Sequence, residues 1–142
     1  MTFRGSRAAA AAAVAVAALA GAADASPISG RWHTQSNNGI VEVSDCGPGV
    51  CGRVLTSDRI RTDPNLQDSR NKDPALRTRP IRGMALFEEM TGGPRVWRGR
   101  VYNPEDGKTY SGSVTSVSAD KMKLTGCVLR IFCKSQTWTR VP

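Results

Sequence analysis

The chain has 142 residues, and 20 basic against 12 acidic side chains give it a formal charge of +8. This is the length of one domain, which excludes a large multidomain enzyme, and no apolar run reaches the roughly 20 residues of a membrane-spanning helix.

Residues 1–25 read as an export signal. Arg4 and Arg7 form a charged start, Ala8 to Ala20 is an uninterrupted apolar run, and Ala23-Asp24-Ala25 is a small-x-small cleavage site. Cleavage there starts the mature chain at Ser26 and leaves one domain over 26–142. The charge falls to +7, because Arg4, Arg7 and Asp24 leave with the signal. No cysteine stands at the cut site for lipid attachment, so the expected product is soluble, periplasmic or secreted, and a cytosolic nucleotide-binding fold is excluded.

Beyond the signal, turn motifs recur: Asn37-Asn38-Gly39, Cys46-Gly47-Pro48-Gly49, Gly92-Gly93-Pro94, Asn103-Pro104-Glu105-Asp106-Gly107 and Ser118-Ala119-Asp120. Between them lie short alternating segments that predict strands at 29–35, 40–45, 51–56, 83–90, 95–102, 108–117, 121–128 and 133–141. In Lys121-Met122-Lys123-Leu124 charged and apolar side chains strictly alternate, and the same logic sets Trp97, Gly99 and Val101 on one face and Arg98 and Arg100 on the other. Eight short strands joined by tight turns predict an all-β fold, an up-and-down antiparallel barrel, since closure removes exposed edges. An immunoglobulin-like sandwich competes, but the long Cys-to-Cys separation around a Trp is absent. The stretch 62–82 breaks the rhythm: it is polar and proline-punctuated, crosses one end of the expected barrel, and offers a helical turn at Asp73-Pro74.

Four cysteines in an exported chain make two disulfides, with three pairings open. The turn Gly47-Pro48-Gly49 favours Cys46–Cys51, and the last strand connection favours Cys127–Cys133 in the same way. Zinc is the alternative at these spacings, but no metal or cofactor is expected. His33 is the only histidine and stands on a strand beside Trp32, so a serine or cysteine nucleophile lacks a partner and no catalytic residue is assigned. Glu88-Glu89 and Glu105-Asp106 are sequence neighbours that split between strand faces or sit in a turn. Asp63, Asn65, Asp68, Asn71 and Asp73 have the composition of a calcium loop but lack its central glycine and closing Glu. They read instead as turn formers with Arg77 and Arg79 as ion partners.

Gly30-Arg31-Trp32 in the first strand and Arg140 in the last become neighbours in a closed meander, with the guanidinium over the indole. This G-x-W with a C-terminal Arg resembles the closing signature of lipocalin and calycin barrels. A fuller resemblance lies in Cys51-Gly52-Arg53, the run from Asn71 to Pro80 with Gly83, the run from Trp97 to Tyr110, Leu124-Thr125-Gly126-Cys127 and Gln136-Thr137-Trp138-Thr139-Arg140. Together these are similar to the small exported bacterial proteins called domain of unknown function 2147. The resemblance implies a lipocalin-like barrel outside the cytoplasm and supplies no reaction.

Two functions follow. The first is a non-catalytic binding module for an amphipathic or anionic small molecule or envelope lipid. Trp97, Tyr102 and Tyr110 would be its stacking surface and Arg77, Arg79 or Arg98 its anion contacts. The second is an interaction factor or protease-inhibitor-like barrel that uses the 62–82 loop. An enzyme ranks third. The dispersed positive charge favours anionic envelope components over nucleic acid.

Overall fold

The computed structural model describes residues 24–142 together with residues 2, 5 and 9–17. Arg4, Arg7 and Ala23 of the expected export signal, with residues 8 and 18–20 of its apolar run, lie outside the described residues. Eight antiparallel strands follow in chain order: β1 (Gly30–His33), β2 (Ile40–Cys46), β3 (Gly49–Thr56), β4 (Ala85–Gly92), β5 (Val96–Asn103), β6 (Lys108–Ser118), β7 (Lys121–Val128) and β8 (Phe132–Arg140). Each bonds to the next, and β8 returns to β1 through Trp32↔Arg140 and His33↔Thr139, closing the barrel.

Alternation sets the inner face. Met122 is fully buried between exposed Lys121 and Lys123, and Trp97 and Val101 are buried while Arg98 and Arg100 face solvent. Turn chemistry sets the lengths: Asn37, Asn38, Gly47 and Gly107 all take the positive φ that tight hairpins require. The strand expected from residue 83 begins at Ala85, because Gly83 turns at φ 79° and Met84 N–H donates to the Ile81 carbonyl. A helix not expected from the sequence, α1 (Asp58–Thr62), starts on Ser57, whose hydroxyl caps the Ile60 N–H at 3.2 Å. The turn expected at Asp73-Pro74 is a single 3-10 turn over Pro74–Leu76, capped by the Asp73 side chain.

Both cysteine pairs are disulfides, Cys46–Cys51 and Cys127–Cys133, with Cα atoms 5.8 and 4.1 Å apart. No cysteine is free, so none is left for zinc. Each bridge closes a short loop and contributes roughly 2–3 kcal/mol in the chain-entropy account.

One end of the barrel is packed solid by Trp32, Trp97, Trp138, Phe87, Met90 and Val114. Arg140 seals it. Its guanidinium lies 4.3 Å over the Trp32 ring and donates to the carbonyls of Pro27, Ser29 and Ala119 at 2.7–2.8 Å. Gly30 makes this possible: a Cβ there would stand 2.6 Å from the guanidinium, and its φ of 133° suits glycine.

At the other end the wall is incomplete. β4 and β5 pair only at Thr91↔Arg98 and Gly92↔Trp97, and the connection between β3 and β4 packs where they part. There Ile60, Ile81 and Met84 are buried with Val54 and pack against Leu66, Leu86 and Tyr102 as a second core.

Candidate functional site

The three indoles fill only the sealed end of the barrel. Above them lies a cavity of about 740 Å³, within the usual range of roughly 300–1,000 Å³ for small-molecule sites. Trp138 forms its floor. Val101, Tyr110, Leu124 and Gly126 line one wall, Val41 and Val54 the other, and Leu66 and Ile81 from the β3–β4 connection cover it.

The register explains why these side chains converge. Val101 pairs with Tyr110, Leu124 with Gln136 and Gly126 with Lys134, and directly paired residues share a face. Gly126 adds no side chain to the lining, and a Cβ there would rest in ordinary van der Waals contact with Tyr110 at 3.5 Å, so the position has room for one.

Polar groups collect at the mouth. Glu105 accepts from the Ser36 hydroxyl and the Asn37 amide, both at 2.7 Å, tying the β1–β2 turn to the β5–β6 turn. Asp58 of α1 accepts from Asn38 at 2.7 Å and pairs with Arg61, and Arg61 followed by Asn38 holds its carboxyl below the usual range. The Tyr110 hydroxyl donates to Asp106, which raises the phenol pKa, with burial adding to the shift. The mouth acids are thus engaged by neighbours. Lys134 and Arg59 also line the cavity, and neither is in a salt bridge among the described residues.

Tyr102 and Tyr110 are brought together at the cavity. Trp97 faces inward but lies in the solid core beneath it, because its place near the start of β5 puts it at the sealed end. Arg98 is on the outer face, and Arg77 is exposed with its Nε donating to the Asn71 carbonyl. Arg79 stacks on Tyr102 at 5.2 Å and pairs with Asp68 at 2.9 Å; it lines a second, more open groove of about 1340 Å³ with Arg53, Lys72 and Arg100.

The 62–82 stretch does not project. Asp68, 1% exposed, accepts from the Tyr102 hydroxyl at 2.6 Å, from Arg79 and from the Asn71 amide, and so draws the stretch against the barrel. Burial first, then the bond to Asp68, pushes the Tyr102 phenol up to about 12.

The sequence motifs include Leu124, Gly126 and Gln136 but do not mark them, or Lys134, as site residues. The signal for two of them was the alternation Met122, Leu124, Gly126, Val128, which puts a glycine on the inner face where bulk is expected.

A family model described as uncharacterized protein conserved in bacteria (DUF2147) matches residues 30–140. No curated protein sequence matches the chain. Among solved structures, the chain is similar to protein HP1028 from the human pathogen Helicobacter pylori, described as belonging to the lipocalin family. The TM-score is 0.71 at 24% identity, covering 80% of this chain and 82% of that one, a likeness of fold.

Proposed function

Since this chain belongs to the bacterial DUF2147 family and folds as a lipocalin-like barrel, we propose that it is a non-catalytic binding protein for a small amphipathic molecule with an anionic head. The observation that carries this reading is the cavity of about 740 Å³ above the indoles. Its apolar wall of Val101, Leu124 and Val54 over a Trp138 floor suits a hydrocarbon portion, and Lys134 and Arg59 at the mouth suit a carboxylate or phosphate. Tyr110, held by Asp106, stands between the two zones as a fixed amphipathic surface.

Parinaric acid, a fluorescent fatty acid, tests the reading. Gly126→Leu fills the cavity from a strand position with room for a Cβ, so it is expected to weaken binding at least about 10-fold while thermal stability is kept. Wild-type protein that leaves the probe's fluorescence unchanged, or a Gly126→Leu variant that binds as well, refutes it.

The place of action we propose is the periplasm or the exterior, with residues 1–25 removed. Two disulfides in so short a bacterial chain support an oxidising compartment. Intact-mass measurement on exported material is expected to find Ser26 first; retention of the apolar run counts against this placement.

A further inference from the structure

The hairpin between β7 and β8 breaks the rules that govern the rest of the molecule. Leu129, Ile131 and Phe132 are 78%, 78% and 70% exposed, side by side at its tip, and Val128 beside them is half exposed. Leu129 and Arg130 hold φ of 53° and 59°, a left-handed conformation in which hairpins ordinarily place Gly, Asn or Asp. A bulky apolar residue there is strained, and solvent gives it nothing in return. The Cys127–Cys133 bridge fixes the two strands immediately behind the tip, so the apolar group is presented on a rigid stem. Val128, Ile131 and Phe132 also line the cavity, which places the tip on its rim.

We propose that this tip inserts into the interfacial layer of a bilayer carrying anionic lipid and seats the cavity mouth on that surface. The purpose rests on the reading of the cavity as an amphipath site; the chemistry of the tip does not. Contiguous apolar side chains exposed on a soluble surface mark interaction sites, and at an interface they leave water without needing a shaped partner. Charge selects the surface. Arg130 within the turn and Lys134 one turn of alternation behind Phe132 flank the apolar group, and Lys72 and Lys108 share the adjoining groove with Leu129. Such cations gain from a negative headgroup layer. A second copy is a poor occupant: it would set Arg130 against Arg130, and one hairpin tip falls far short of the roughly 20–30 residues a side of a stable protein interface.

Vesicle co-sedimentation tests this, with the protein purified after export and its N-terminus identified by mass so that no leader contributes. The wild type is expected to bind phosphatidylglycerol-containing vesicles at least about 10-fold more tightly than pure phosphatidylcholine ones. Leu129→Gly with Ile131→Ser and Phe132→Ser is expected to lose at least about 10-fold on the anionic vesicles, and Leu129→Gly alone, at the tip position outside the cavity lining, is expected to lose part of that binding while its parinaric acid affinity stays within about twofold. Should the triple variant not fold, Ile131→Ser alone reports the same loss in part. Gly126→Leu is expected to do the reverse, keeping vesicle binding. Undiminished vesicle binding by the tip variants, wild-type binding equal on both vesicle types, or a dimer that the tip variants dissociate each overturns the proposal. Vesicle binding by a protein that ignores parinaric acid sinks the cavity reading alone.

Discussion

Trp32→Ala is expected to remove about 3–5 kcal/mol of stability, lowering the midpoint of thermal unfolding by more than about 10 °C. The indole is fully buried, and its Nε1 donates to the Ile28 carbonyl at 2.8 Å. Truncation leaves a cavity in the best-packed part of the barrel, orphans that carbonyl, and removes the surface on which Arg140 lies. A domain of this size has about 5–15 kcal/mol in total, so one side chain carries a large share. Arg140→Lys is the informative companion. A lysine keeps the charge but has no planar fork to span the carbonyls of Pro27, Ser29 and Ala119, so a loss of about 1–3 kcal/mol is expected. Calorimetry of the two variants checks both figures; a Trp32→Ala protein within about 1 kcal/mol of wild type, no more than an average substitution costs, contradicts this account of the sealed end.

The same residues show what a sequence can and cannot disclose. Gly30, Trp32 and Arg140 are legible because closing an eight-strand meander forces the first and last strands together, whatever lies between. The inward faces of β5 and β7 are legible because a period of two leaves only two choices. Depth inside the barrel is another matter. Trp97 and Val101 share a face, yet one lies in solid core and the other lines the cavity, and nothing in the period distinguishes them. The difference lies in which barrel end each hairpin points to, a property of the assembled meander.

Shortness hides other features. Five residues in α1 give one buried position, Ile60, too few for a helical period to emerge. The β7–β8 tip carries no Gly, Pro or Asn at Leu129-Arg130-Ile131, so ordinary turn chemistry passes over it. Its oddity became visible only when the backbone showed two positive φ values under exposed side chains. Among the five Asx residues between 63 and 73, composition named arginine as the partner and geometry chose one pair, Asp68 with Arg79. Arg77 went to a backbone carbonyl instead.

Loss of that chosen carboxylate is expected to have the second large effect. In Asp68→Ala the Tyr102 hydroxyl, the Arg79 guanidinium and the Asn71 amide lose a common acceptor at a site that water does not reach. Removing one partner of a buried ionic network costs about 3–5 kcal/mol. The loss should be local, because the disulfides and the sealed end hold the barrel without this stretch. The observable is therefore opening of the cavity cover. Trypsin has targets at Arg70, Lys72 and Arg77, while Arg79 is protected by the following Pro80, and cleavage at those three is expected to accelerate by at least about 100-fold, since the rate follows the population of the open form. Tyr102 gives an independent reading. Its phenol is raised to about 12 by burial and by Asp68, so its contribution is complete below pH 10 and disappears as the pH climbs through 12. In the Asp68→Ala protein the phenol should titrate nearer its ordinary range, and the alkaline decline attributable to it should flatten. A variant that resists trypsin like the wild type and keeps the high phenol pKa would mean that the apolar contacts of Leu66, Ile81 and Met84 hold the cover alone.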